Sequence, residues 1–353
     1  MSPLKLGNKI IDKNSLYFIA DIGANHDGSL NRAIDLIHMC KEAGADAAKF
    51  QNFQVDKIVS RKGFESMQSK SSHQSSWKKS VYDTYKGASI NKEWTKTLKE
   101  ECDKIGIDYF TSPYDFESVD LVDQYVDLYK IGSGDITWIN LVDYIFSKNK
   151  PVIIATGASD LTDVERIMSL AQTKTNNTVL MQCNTNYTAN KENFKYINLN
   201  VLKIFSKMYP GTMLGLSDHT LGHSTVLGSI ALGARVIEKH FTDDNKREGP
   251  DNAFAMNPNT WNEMVDRSYE ILYALGDGVK RVEENEMETI NLQRRCLRFK
   301  SDMKVGEIIR NEDLIALRPI SPLGVQPYDI DKVIGKKLKY DVFEGTHITL
   351  NMV

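Results

Sequence analysis

Short β-branched or aromatic runs alternate along most of the chain with longer segments whose apolar residues recur at helical spacing. This is the pattern of a parallel sheet with crossover helices. The runs that predict strands are residues 16–22, 46–51, 108–111, 128–131, 151–156, 178–183, 213–217 and 235–241. Helical patterns fall at about 30–43, 92–105, 116–124, 141–147, 161–173, 197–208, 224–232 and 259–275. Eight strand–helix units predict an α/β protein whose sheet closes into a (β/α)8 TIM barrel.

Two stretches break that rhythm. Residues 61–89 are polar and rich in Ser, Lys and Gln, with Trp77 and Tyr82 embedded. They follow the second strand and so belong to the rim where such barrels do chemistry, either as a solvated insertion or as a substrate-covering lid. Past Leu275 the chain turns charged and helix-favouring, and from Arg294 onward short apolar runs are broken by turn signals such as Val305-Gly306 and Glu344-Gly345. The expected organisation is a catalytic barrel over 1–280, a linker over 281–293 and a small domain of short strands over 294–353. At that size its own core is marginal.

Composition narrows the class. Apolar residues at 41% suit a globular core, and 44 Lys+Arg against 47 Asp+Glu leave a net charge of −3, so no basic field is available for nucleic acid. Cys40, Cys102, Cys183 and Cys296 show no CxxC spacing, which argues against a zinc cluster or a disulfide framework and for a reducing cytoplasm. Without an apolar run of membrane-spanning length, neither a membrane nor a nucleic-acid partner is expected.

Polar residues crowd the carboxyl ends of the predicted strands, where barrel enzymes carry their reacting groups. The first strand ends in the stretch from Asp21 to Asn25, the second in Lys49 and Gln51, and the fourth in the stretch carrying Lys130, Ser133 and Asp135. Thr156 ends the fifth strand, and Thr185, Asn186 and Tyr187 follow the sixth. His219 and His240 end the seventh and eighth strands, neighbours in a closed barrel, and two imidazoles completed by water or carboxylate suit Mn²⁺ or a similar divalent ion. Lys49 and Lys130 share the same mouth, and two ammonium groups in one cleft call for an anion, a phosphate or a carboxylate, between them. Ser133, Thr156 and the backbone of 132–134 are placed to donate hydrogen bonds to it.

The motifs Ile-Ala-Asp-Ile-Gly-Ala-Asn-His-Asp-Gly (from Ile19), Tyr-Lys-Ile-Gly-Ser-Gly (from Tyr129), Gly-Leu-Ser-Asp-His-Thr (from Gly215), Glu-Lys-His-Phe-Thr (from Glu238) and Gly-Pro-Asp (from Gly249) resemble the bacterial sialic acid (N-acetylneuraminate) synthase family. The tail, with Leu317-Arg318-Pro319 and Ile334-Gly335-Lys336, is similar to the antifreeze-like (SAF) domain that ends those enzymes. The resemblance implies a transferase that condenses phosphoenolpyruvate with an N-acylamino hexose such as N-acetylmannosamine and releases phosphate. It implies Mn²⁺ or Mg²⁺ as cofactor, and a homodimer whose SAF domain reaches over the partner's barrel.

Carried over by position, the resemblance assigns the metal to His219 and His240 and catalytic roles to Asp21, Lys49, Asp251 and Arg318. It assigns substrate binding to Lys130, Ser133, Asp135, Thr156, Thr185, Asn186, Tyr187, Gln51 and Asn25. Asp21 and Asp135 stand where the family usually has Glu, and Ala155 where it usually has Ser, which leaves the sugar open. Legionaminic or pseudaminic acid synthesis from a 2,4-diacetamido-trideoxyhexose is the nearest alternative. A 3-deoxy sugar acid synthase would need no SAF domain, and a non-enzymatic sugar-binding protein would need neither both histidines nor both lysines.

Overall fold

The computed structural model describes residues 2–67, 74, 77–174 and 177–353, so 68–73, 75 and 76 of the polar insertion lie outside the described residues. The chain groups into two compact units, Met1–Gly276 and Asp277–Val353.

The first unit opens with a hairpin, β1 (Leu4–Leu6) and β2 (Lys9–Ile11). It continues through β3 (Tyr17–Asp21), α1 (Leu30–Glu42), β4 (Ala47–Asn52), α2 (Val55–Ile58), α3 (Arg61–Ser66), α4 (Val81–Ala88), α5 (Trp94–Ile105) and β5 (Asp108–Pro113). Then come α6 (Phe116–Asp123), β6 (Tyr129–Ile131), α7 (Ile139–Phe146), β7 (Val152–Ala155), α8 (Leu161–Lys174) and β8 (Thr178–Cys183). The unit ends with α9 (Val201–Met208), β9 (Met213–Asp218), α10 (Ser224–Ala231), β10 (Ala234–His240) and α11 (Pro258–Ala274).

Strands β3 to β10 form the expected closed parallel barrel, each beside its neighbour in sequence, with β10 returning to β3 in the register Val236↔Tyr17 to His240↔Asp21. Every residue of these strands is buried except the half-buried Gln51. Helices cover the outer face and side chains fill the interior, so the strands read as continuous apolar runs and polar residues within them are costly exceptions. The helices dock by single apolar stripes. In α1, Ala33, Leu36, Ile37 and Cys40 repeat at helical spacing and are buried, while the Ser29 side chain caps the first turn by accepting from the Arg32 amide.

Two local features depart from the sequence-based expectation. The hairpin was not foreseen; it sits at the amino end of the barrel, where the Asn8 backbone amide and side-chain amide both donate to Asp108 (3.1 and 2.7 Å) and Tyr17 donates to the same carboxylate at 2.7 Å. The helix predicted from residue 197 starts only at Val201, because Asn198 adopts a left-handed φ of 49° that interrupts helical geometry.

The second unit contains α12 (Met287–Gln293) and an antiparallel pair, β11 (Cys296–Phe299) with β12 (Leu314–Leu317). It holds a core of its own, in which Leu297, Phe299, Ile309, Val333 and Ile348 are essentially inaccessible. The four cysteines are free and buried, and among the described residues no helix is long and apolar enough to cross a membrane.

Candidate active site

At the carboxyl ends of the barrel strands lies a cavity of about 450 Å³. Strand parity decides which side chains enter it, because alternate residues face the interior. On β4 this brings in Lys49 and Gln51, on β9 Ser217, and on β10 Glu238 and His240. Of the residues expected from sequence, Asp21, Lys49, Gln51, Lys130, Ser133, Asp135, Thr185, Tyr187, His219, His240 and Asp251 line one cavity.

The two lysines are not bare. Lys49 donates to Asp21 at 2.6 Å and stands 3.9 Å from Glu238, and Lys130 donates to the other Glu238 oxygen at 2.6 Å. Lys49, Lys130, Asp21 and Glu238 are each at most 4% exposed. Burial alone would raise the Asp21 carboxyl, but the adjacent Lys49 ammonium holds it below the usual carboxylate range, and Lys130 and Lys49 do the same for Glu238. The expectation that two uncompensated ammonium groups demand an anion is therefore corrected: each already has a carboxylate partner. Glu238 is the residue that sequence reasoning missed. It lies two positions before His240 in a strand buried on both faces, so parity alone would have sent it into the mouth.

Asp135 lies apart from these pairs, and burial pushes its carboxyl up to about 6. Ser133 accepts a hydrogen bond from Thr185 at 2.9 Å, a contact that requires glycine at 157, where a Cβ would fall 2.0 Å from the Thr185 hydroxyl.

His219 and His240 meet with ring centroids 5.5 Å apart, flanked by Tyr187 and Phe254. The Nδ1 of His219 lies 3.0 Å from the Asn184 carbonyl, and the same imidazole hydrogen-bonds with the Cys183 side chain. The ring nitrogens of His240 stand 3.6 Å from Asp21 and 3.7 Å from Asp251, beyond hydrogen-bond reach, and its buried Nδ1 has no partner. Gly23, at a left-handed φ of 48°, lets the loop after β3 pass over this pair; a Cβ there would approach Asp251 at 3.1 Å and His240 at 3.2 Å. The donor set suits a divalent cation. The His240 ring nitrogens make no internal hydrogen bond, and among the described residues the lining carries four carboxylates (Asp21, Asp135, Glu238 and Asp251) against two lysines. Among the described residues no group of three or more His, Cys, Asp or Glu side chains is arranged to hold a metal ion.

Three expected contact residues do not line the cavity. Asn25 is fully buried and donates to the Phe241 carbonyl at 2.9 Å; Thr156 donates to the Met181 carbonyl at 2.9 Å. Asn186 folds back to accept from the Thr188 amide and hydroxyl. Asn25 and Thr156 thus serve backbone carbonyls at neighbouring strands, and Asn186 closes a local turn. Arg318 belongs to the second unit, where its Nε donates to the Gln293 carbonyl at 2.6 Å.

The polar insertion contributes the opposite wall. Trp77, Thr84, Tyr85 and Ala88 line the cavity beside Phe53, Ile58 and Tyr114, with the Tyr85 and Phe53 rings 5.7 Å apart. Tyr82 does not take part; its hydroxyl donates to Asp56 and Arg61 stacks on its ring at 4.0 Å.

Known proteins resemble this chain over most of its length. Residues 36–280 match the NeuB family and 294–353 the SAF domain. The chain is 32% identical to an N,N'-diacetyllegionaminic acid synthase of Legionella pneumophila, over 94% of this chain and 92% of that one. It is 31% identical to a pseudaminic acid synthase of Campylobacter jejuni, over 97% of each. The crystal structure of an N-acetylneuraminic acid synthetase from Leptospira borgpetersenii, in complex with citrate, superposes with a TM-score of 0.72 at 27% identity, covering 82% of this chain and 95% of that one.

Proposed function

Because the chain belongs to the NeuB family and ends in a SAF domain, we propose that it is a nonulosonic acid synthase that joins phosphoenolpyruvate to an N-acylamino hexose such as N-acetylmannosamine. The observation that carries the reading is one cavity holding two strand-end imidazoles beside the Lys49–Asp21 and Lys130–Glu238 pairs.

In the proposed reaction C3 of phosphoenolpyruvate bonds to the aldehyde carbon of the open-chain sugar, water adds at C2, and phosphate departs with its bridging oxygen. Lys49 and Lys130, whose ammonium groups keep donors beyond the one given to Asp21 or Glu238, act with Ser133 and Thr185 to hold the carboxylate and phosphate of phosphoenolpyruvate in register. Asp21, already hydrogen-bonded to Lys49, stabilises positive charge at C2 and takes a proton from the attacking water. Asp251 and Gln51 orient sugar hydroxyls. His219 and His240 hold a divalent cation, Mn²⁺ or Mg²⁺, which when bound supplies Lewis acidity toward the aldehyde oxygen. Arg318 donates hydrogen bonds to oxygens of the sugar across a homodimer.

A second reading, a 2,4-diacetamido-trideoxyhexose as the sugar, is favoured by the aromatic wall of Phe53, Trp77, Tyr85 and Tyr114, which suits acyl and deoxy methyl groups. The named activities of the Legionella and Campylobacter relatives point the same way. Phosphate release from phosphoenolpyruvate, measured with Mn²⁺ or with chelator against a panel of both sugar types, tests the function and separates the two. No metal-dependent release with any N-acylamino sugar refutes the proposal.

A further inference from the structure

The strands that end in the two histidines also carry charge on their opposite face. Asp218 immediately precedes His219, Lys239 immediately precedes His240, and the parallel register sets Lys239 beside Asp218. Ser217 and Glu238 turn into the cavity and hydrogen-bond to each other at 3.0 Å. By the two-residue period of a strand, Asp218 and Lys239 must turn away from it, toward the layer between barrel and helices. Neither lines the cavity, and Lys239 is 1% and Asp218 3% exposed.

Behind the wall they form a hydrogen-bonded network. The Lys239 ammonium donates to Asp218 at 2.5 Å and to the Thr220 carbonyl at 2.7 Å. Asp218 also accepts from the Thr220 amide and hydroxyl and from Thr225, in the first turn of α10, at 2.7 Å. Thr220 and Thr225 share a further hydroxyl contact of 2.9 Å. A buried ion pair is seldom favourable for stability over well-packed apolar residues, since desolvation of both charges offsets their attraction. What this one does is directional. Its bonds hold residues 218 and 220, on either side of His219, and tie them to residue 239, next to His240.

We propose that Lys239 and Asp218 are positioning residues that set the spacing of His219 and His240 through the backbone. The need falls mainly on His240, whose ring nitrogens make no internal hydrogen bond and whose orientation therefore rests on its own backbone and on the packing of Phe254. The inference rests on the metal reading of the histidine pair.

Mn²⁺ titration of the full-length chain, followed by the electron paramagnetic resonance of the free ion, tests it. The double variant Lys239→Met with Asp218→Asn removes both charges together. It is expected to bind Mn²⁺ about 10- to 100-fold more weakly, the range seen when groups supporting metal ligands are removed, while its metal-free thermal midpoint stays within a few degrees of the parent's. Thr225→Val, which deletes one bond to Asp218 and leaves both charges, carries the test if the double variant does not fold; a loss of roughly three- to tenfold is expected. Parent-like affinity in the folded variant overturns the positioning role alone. A parent that binds Mn²⁺ no better than His240→Ala overturns the metal reading and this inference with it.

Discussion

Asp135 is lifted to about 6 by burial, so the folded chain holds that proton more tightly than the unfolded chain does. Its contribution to stability is fully present below about pH 4 and is lost as the pH rises through about 6. Asp135→Asn, a permanent mimic of the protonated acid, should therefore raise the melting temperature at pH 8 and leave it unchanged at pH 4. The ceiling is about 3 kcal/mol, reduced by the partial solvation of the group; calorimetry at the two pH values checks it, and an equal gain at both refutes it. Lys130 invites a paired test. Lys130→Met strands Glu238 and should cost roughly 3–5 kcal/mol of folding stability. Adding Glu238→Gln should recover most of that loss while phosphoenolpyruvate affinity, followed by titration calorimetry, stays low. Recovery of both would make Lys130 a purely structural lysine.

At the level of elements, the strand ends and the insertion divide the cavity between them. Charged groups arrive on β3, β4, β6 and β10, whereas α4 and the residue Trp77 before it bring aromatic surface. Tyr85→Ala should raise the KM for the sugar roughly tenfold, about 1.4 kcal/mol, and leave the KM for phosphoenolpyruvate within about twofold; steady-state kinetics with each substrate varied in turn decides it. The same division explains what could be read beforehand. The eight strands were legible because strands buried on both faces leave continuous apolar runs. Glu238 stayed hidden because inside a fully buried strand polarity no longer alternates, so its face had to be inferred from His240. Asn25, Thr156 and Asn186 lie outside the cavity lining for a related reason: short polar side chains at strand ends serve backbone amides and carbonyls as readily as substrates. The β1–β2 hairpin, at three residues a strand, is too short to announce itself by period.

For the whole molecule, the second unit has its own core, so removing it should spare the first. A chain ending at Gly276 is expected to fold and bind Mn²⁺ yet fail in sugar turnover. If Arg318 acts across a homodimer, mixing Arg318→Ala with His240→Ala protein should restore part of the activity, because one site then combines an unaltered barrel with an unaltered arginine. Continued inactivity despite proven subunit exchange rules out delivery in trans. The pairing of β10 with β3 also governs how the molecule can be made. At about 5–20 residues per second, a ribosome needs on the order of ten to forty seconds after releasing Tyr17 before Val236 emerges to close the sheet. Until then β3 presents an open edge that β10 is built to cover, a hazard for association between nascent chains. Glu238 and His240 arrive on that same final barrel strand, so a truncated translation product keeps the Lys49–Asp21 pair but lacks the partner of Lys130 and one of the two imidazoles, as well as the closure.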